Sequence, residues 1–124
     1  MFVGTSLSGT SSILVQVGSG SVATSGYTAI GNGNNSTGTG NIYSTSGMPI
    51  YLNVATGTAI GSMVINLVTG NTWVSSHSMF STSTTTASGG GTIALSGTLD
   101  RVRITTVNGT DTFDAGSINI LYEG

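Results

Sequence analysis

The chain has 124 residues, of which 5% are charged, and a formal net charge of −2 with only two basic side chains. Ordinary globular chains carry roughly 25% charged residues, so this surface is neutral and must be built from Ser, Thr, Asn and Gly. Two arginines cannot displace enough counterions for sequence-independent nucleic-acid binding or form a basic membrane-binding face, and the absence of Cys excludes thiolate metal sites, disulfides and a thiol nucleophile.

The length suits one domain, spanning residues 1–124. No apolar run approaches the length of a membrane-spanning helix, and no signal-peptide pattern is legible. Glu, Lys, Arg and Gln hardly occur, and Gly is too frequent for helix interiors. Thr, Val, Ile and Tyr, in short alternating runs split by Gly/Asn/Ser clusters, predict an all-β antiparallel sandwich of jelly-roll type.

In chain order, Ile13, Val15 and Val17 alternate with Leu14 and Gln16 until Gly18-Ser19-Gly20 stops the run. Tyr27 to Ile30 is a short strand. Gly31 to Gly40, GNGNNSTGTG, has no apolar residue and reads as a loop. Pro49 opens a strand over Ile50 to Val54, a position where its missing N–H does no harm. The strongest hairpin is SMVINLVTGNTWVSSHSMF, with Thr69-Gly70-Asn71 as the turn. Trp73, Ser75, His77 and Met79 share one face of its return strand, with Val74, Ser76, Ser78 and Phe80 opposite. Ser81 to Gly91, STSTTTASGGG, reads as a long flexible loop. Ile93 to Leu95 and Leu99 lead into a strand with Val102, Ile104 and Thr106 on one face and Arg101 and Arg103 on the other. Ile118, Ile120 and Tyr122 form one face of a final strand.

Candidate chemistry is sparse. His77 is the only histidine, and no serine sits in a G-x-S-x-G elbow, so a polar strand residue is a better reading than a catalytic base. Asp111 and Asp114, near Asn108, lack the spacing of a Ca²⁺ loop and read as turn residues bonded to nearby backbone. As an acid–base pair acting on a sugar they have no ionisable neighbour in sequence to tune them. No metal and no cofactor is expected, and the chain is read as non-enzymatic.

Trp73, Tyr27, Tyr43, Tyr51 and Tyr122 are the aromatic rings able to stack on sugars; Trp73 and Tyr122 read better as core or subunit-interface residues. Tyr27 and Tyr43 flank the Asn/Gly segment, so Tyr27, Asn32, Asn34, Asn35 and Tyr43 are the expected ligand contacts. All Asp, Glu, Lys and Arg residues lie from Asp100 onward: Asp100, Arg101, Arg103, Asp111, Asp114 and Glu123. Asp100, Arg101 and Arg103 are expected to contact a neighbouring subunit or partner, because charge-assisted bonds fix orientation. The plainer reading is that these charges keep one sheet face wet.

The run SGTLDRVRITTVNGTDTFDAGSINILYEG, Ser96 to Gly124, closely resembles the C-terminal signature of a family of small tailed-phage virion proteins. Ser6 to Tyr27, SLSGTSSILVQVGSGSVATSGY, resembles that family's first strand pair, and Leu67 to His77, LVTGNTWVSSH, its central Trp hairpin. The family is described as tail-fibre-like or structural, and often carries a segment upstream of the position where this chain starts. The resemblance implies a virion protein working outside cells, the C-terminal module of a longer chain, associating as a homotrimer with other virion proteins. It implies a distal tail-fibre or appendage module touching host surface glycans; the alternative is a capsid decoration protein that stabilises the phage head. It supplies no catalytic residues.

Overall fold

The computed structural model describes residues 1–82 and 84–123; Ser83, within the Ser81–Gly91 segment, and Gly124, which ends the closing segment, lie outside the described residues. The strands are β1 (Phe2–Leu7), β2 (Ile13–Ser19), β3 (Ser21–Val22), β4 (Thr28–Asn35), β5 (Gly38–Ser44), β6 (Met48–Ile50), β7 (Ala59–Thr69), β8 (Thr72–Ser81), β9 (Thr85–Ala94), β10 (Arg101–Thr106) and β11 (Phe113–Ile118). The molecule is an all-β antiparallel sandwich. A seven-stranded sheet runs β11-β1-β7-β8-β9-β4-β5, and a four-stranded sheet runs β10-β2-β3 with β6 also paired to β2. A jelly roll is built from two Greek keys; here much of the larger sheet is the β7-β8-β9 meander with the β4–β5 hairpin set beside it.

The alternating run Ile13–Val17 forms β2, and its Ile13, Val15 and Val17 enter the core with Met48 and Ile50 of β6. The other face of β2 is also covered. Leu14 and Gln16 are buried, because Gly47 lies close against both side chains. The Trp hairpin forms as its pattern predicts, extended at both ends, with Gly70 at φ 54 in the turn. Ser75, His77 and Met79 are buried, and Val74 and Phe80 are exposed.

Four expectations are corrected. GNGNNSTGTG is not a loop but most of the β4–β5 hairpin, paired in register from Ala29↔Ser44 to Asn35↔Gly38. Most of the described part of STSTTTASGGG is not a loop either: Thr82 and Thr84 are turn residues, but Thr85 onward is β9, hydrogen-bonded between β8 and β4. Here the inward positions are glycines because bulk arrives from the facing segment. A Cβ on Gly31 would lie 2.4 Å from the Pro49 carbonyl oxygen, and one on Gly33 would lie 2.1 Å from the Tyr51 ring. A sheet whose core-facing positions are glycine shows no apolar alternation, so the period-2 signal vanishes. The run from Pro49 to Val54 leaves the sheet after Ile50. The final strand is Phe113–Ile118; Ile120 and Tyr122 lie beyond it and are exposed, so Tyr122 is no core residue of this chain, whereas Trp73 packs half-buried against the core.

The charged segment has an intrachain role. It closes both sheets onto the first part of the chain, β10 pairing with β2 and β11 with β1. Four of its charged side chains bond to that part in antiparallel order. The Asp100 carboxylate accepts from Gly20 N–H at 3.1 Å. Arg103 Nε donates to Gln16 Oε1 at 2.7 Å. Asp111 Oδ2 accepts from Ser11 N–H at 2.9 Å. Asp114 accepts from the Ser6 hydroxyl. Asp100 also pairs with its neighbour Arg101 at 2.7 Å, and Arg101, Gly20 and their hydrogen bonds hold its carboxyl below the usual range. The Asn108 side chain and Ser11 N–H do the same for Asp111, and Asn108 caps the turn by accepting from Thr110 and Asp111 N–H.

Gln16 is 3% exposed and donates to Ser46 O at 2.6 Å. Arg103→Leu therefore strands a buried acceptor and costs about 1–3 kcal/mol, read as a lower urea midpoint. Arg101→Leu, which removes an exposed pair, leaves that midpoint essentially unchanged.

Candidate functional site

Along β4 the side chains alternate strictly. Ala29, Gly31 and Gly33 face inward and are buried, whereas Ile30 and Asn34 face outward and Asn32 is half-exposed. The register extends this outward face across five strands. One row reads Asn41–Asn32–Ser88–Ser78–Ser62 from β5 to β7. Beside it lies Tyr43–Ile30–Gly90–Ser76–Val64, and on the other side Thr39–Asn34–Thr86–Phe80–Ile60. Strands in a sheet lie about 4.8 Å apart, so each row spans roughly 19 Å. The three rows form a broad face of amides, hydroxyls and apolar side chains without one formal charge.

Of the expected contacts, the structure brings Asn32, Asn34 and Tyr43 together on this face, with Tyr43 64% exposed. Asn35 sits in the β4–β5 turn. Its Oδ1 accepts from Thr37 N–H at 2.9 Å, Thr37 Oγ1 at 2.8 Å and Gly38 N–H at 3.0 Å, so it builds the turn. Tyr27 corrects the expectation of an exposed ring. It is 2% exposed, and its hydroxyl has its single proton within reach of both Val17 O and Ala23 O and accepts from Val17 N–H at 2.8 Å. Burial raises its phenol above the ordinary value. It seals the core where β2 turns into β3, away from Asn32 and Asn34. Asp100, Arg101 and Arg103 are exposed but are engaged within the chain as described. Asn41 and Thr39 complete the face; their signal, the odd-numbered alternation along β5, was hidden in a segment that reads as a loop.

Behind the same hairpin, on its inward side, two cavities open near Tyr51. One of about 330 Å³ runs toward Ser11 and Asn108. The other, of about 190 Å³, lies under the β4–β5 turn. Tyr51 and Asn53 line both. Among the described residues no group of three or more His, Cys, Asp or Glu side chains is placed to hold a metal ion.

A scan against protein-family models, a search of curated proteins and a search of solved structures each found no match.

Proposed function

We propose that this chain is a non-enzymatic binding module of a tailed-phage virion, the distal part of a tail fibre or related appendage, and that it touches neutral host-surface glycans. The observation that carries the glycan part is the uncharged outer face, where Tyr43 stands beside Asn41, Asn32 and Asn34 in adjacent register. A sugar presents hydroxyls along its edge and C–H groups on its face. Amides and hydroxyls serve the first, and an exposed aromatic ring serves the second. No ionic partner is offered, so the preferred sugars are uncharged. The virion part rests on the sequence resemblance, with which a neutral Ser/Thr/Asn surface is consistent. Assembly as a homotrimer belongs to the same reading: the outer edges of β5 and β11 close the larger sheet, and chains in a fibre cover such edges.

Tyr43→Ala is expected to lower retention on a glycan array by about tenfold, a loss of the size a stacked aromatic anchor supplies. Its thermal midpoint should match that of the parent, because the ring is exposed. Undiminished retention would remove Tyr43 from the site.

The second reading, a capsid decoration protein, is favoured by apolar surface. Ile60, Val64, Phe80 and Val3 are each at least 46% exposed, and Ile120, Leu121 and Tyr122 at least 67%. Side chains of this kind gain from a covering protein surface. Binding to purified capsids, with no competition by sugars, would decide for it.

A further inference from the structure

We propose that the two cavities flanking Tyr51 form one groove that takes a short neutral saccharide, with Tyr51 between two sugar units. The groove lies on the side of the β4–β5 hairpin opposite Asn32 and Asn34. It rests on the neutral-glycan reading above and adds a second contact to it.

The Tyr51 ring is held by sequence. It lies flat against two glycines, since a Cβ on Gly33 would sit 2.1 Å from Cδ1 and one on Gly40 would sit 2.3 Å from the phenolic oxygen. A ring seated in this way presents one fixed wall to each cavity, and a preformed wall loses little freedom on binding. Asn53 is exposed and borders both cavities, so one amide can bridge both sugar units.

The size of the smaller cavity limits what it takes. A volume of about 190 Å³ corresponds to roughly six waters at about 30 Å³ each, below the roughly 300–1,000 Å³ of drug-sized sites. It admits one ring edge, and the larger, more open cavity takes the next unit. The linings contain no Asp, Glu, Lys, Arg or His, so a charged ligand would lose its hydration without gaining a partner.

The test is an amide NMR titration of the protein with neutral trisaccharides of glucose, galactose, mannose and N-acetylglucosamine, with sialyllactose as the anionic comparator. At least one neutral sugar should shift the amides of Tyr51, Asn53 and Asn108, and sialyllactose should not. Asn53→Ala should weaken that sugar by about tenfold, and Asn53→Trp, which fills the groove from an exposed position, should abolish the shifts while the remaining spectrum stays folded. Shifts confined to Asn32, Asn34, Asn41 and Tyr43 would overturn the groove and leave the outer-face reading standing. Unaltered binding by both Asn53 variants would also overturn it. No shifts with any sugar would overturn the groove and the glycan reading together.

Discussion

Gly31→Ala lowers the thermal midpoint by roughly 10 °C or prevents folding altogether, whereas Gly38→Ala in the same hairpin leaves it nearly unchanged. The two glycines differ in what a methyl group would meet. At Gly31 it falls 2.4 Å from the Pro49 carbonyl oxygen and 3.1 Å from the carbonyl carbon, while at Gly38 nothing lies within 4 Å. Backbone atoms cannot rotate aside as a side chain can, so the β4 and β6 backbones must separate. Overpacking of a well-filled core costs about 1–3 kcal/mol and more where the neighbours are rigid. A domain of this size is stable by only about 5–15 kcal/mol. Gly89→Ala should behave like Gly31→Ala, since its Cβ would fall 2.3 Å from the Ile30 carbonyl oxygen and 2.6 Å from the His77 ring. Thermal melts followed by circular dichroism at 218 nm, a roughly standard wavelength for β-structure, compare the three variants; equal midpoints for Gly31→Ala and Gly38→Ala would mean that β4 and β6 are not in this close contact.

The second large effect is a loss of stability as pH falls from about 6.5 to about 4. His77 lies inward on β8, 7% exposed, between Met63 of β7 and Gly89 of β9 in register. Neither ring nitrogen has a hydrogen-bond partner among the described residues. Met63 and Gly89 beside it, and Ser75 and Met79 on its own strand face, carry no titratable group. Burial alone therefore lowers its pKa from 6.5 to about 4. Below 6.5 the unfolded chain takes up a proton that the folded one refuses, so stability falls until the folded ring titrates as well. The difference corresponds to at most about 3 kcal/mol, less whatever water reaches the ring. His77→Leu should abolish this slope. It should leave the separate loss at lower pH, where Asp100 and Asp111 act in the same direction: their folded pKa values are depressed, so their contribution is present above the unfolded value and disappears as pH falls through the folded one. Urea midpoints of parent and variant between about pH 7 and pH 4 measure this; parallel curves would remove His77 as the source.

What could be read from the sequence follows from where bulk and period coincide. Ile13–Val17 and the Trp hairpin place large apolar residues on one face at period two, and both were legible with their faces. β4, β5 and β9 hold the middle and one edge of the larger sheet, yet their inward positions include Gly31, Gly33, Gly40, Gly89 and Gly91. The bulk against Gly31, Gly33 and Gly40 comes from Pro49 and Tyr51 of the facing segment, and that against Gly89 and Gly91 from His77 and Ala29 on the neighbouring strands, so only the tertiary pairing could have revealed them. The same cause split the candidate face. Asn32, Asn34 and Tyr43 were singled out from their residue types and share that face, but Asn41, Thr39 and the Ser88–Ser78–Ser62 continuation required the register. Tyr27 was misplaced because a tyrosine beside a Gly/Asn run looks exposed, whereas its hydroxyl is needed by the Val17 backbone. The charges from Asp100 onward suggested an outside partner; Asp100, Arg103, Asp111 and Asp114 also have partners between Ser6 and Gly20 of the same chain, which residue type alone could not show.

The most direct test of the functional account is immunogold electron microscopy of particles of the phage whose genome is proposed to encode this chain, with antibody raised against the folded domain. The account predicts gold at the tips of tail fibres or related appendages. Gold over the head would contradict it in favour of a decoration protein, and particles without gold would contradict the assignment to a virion.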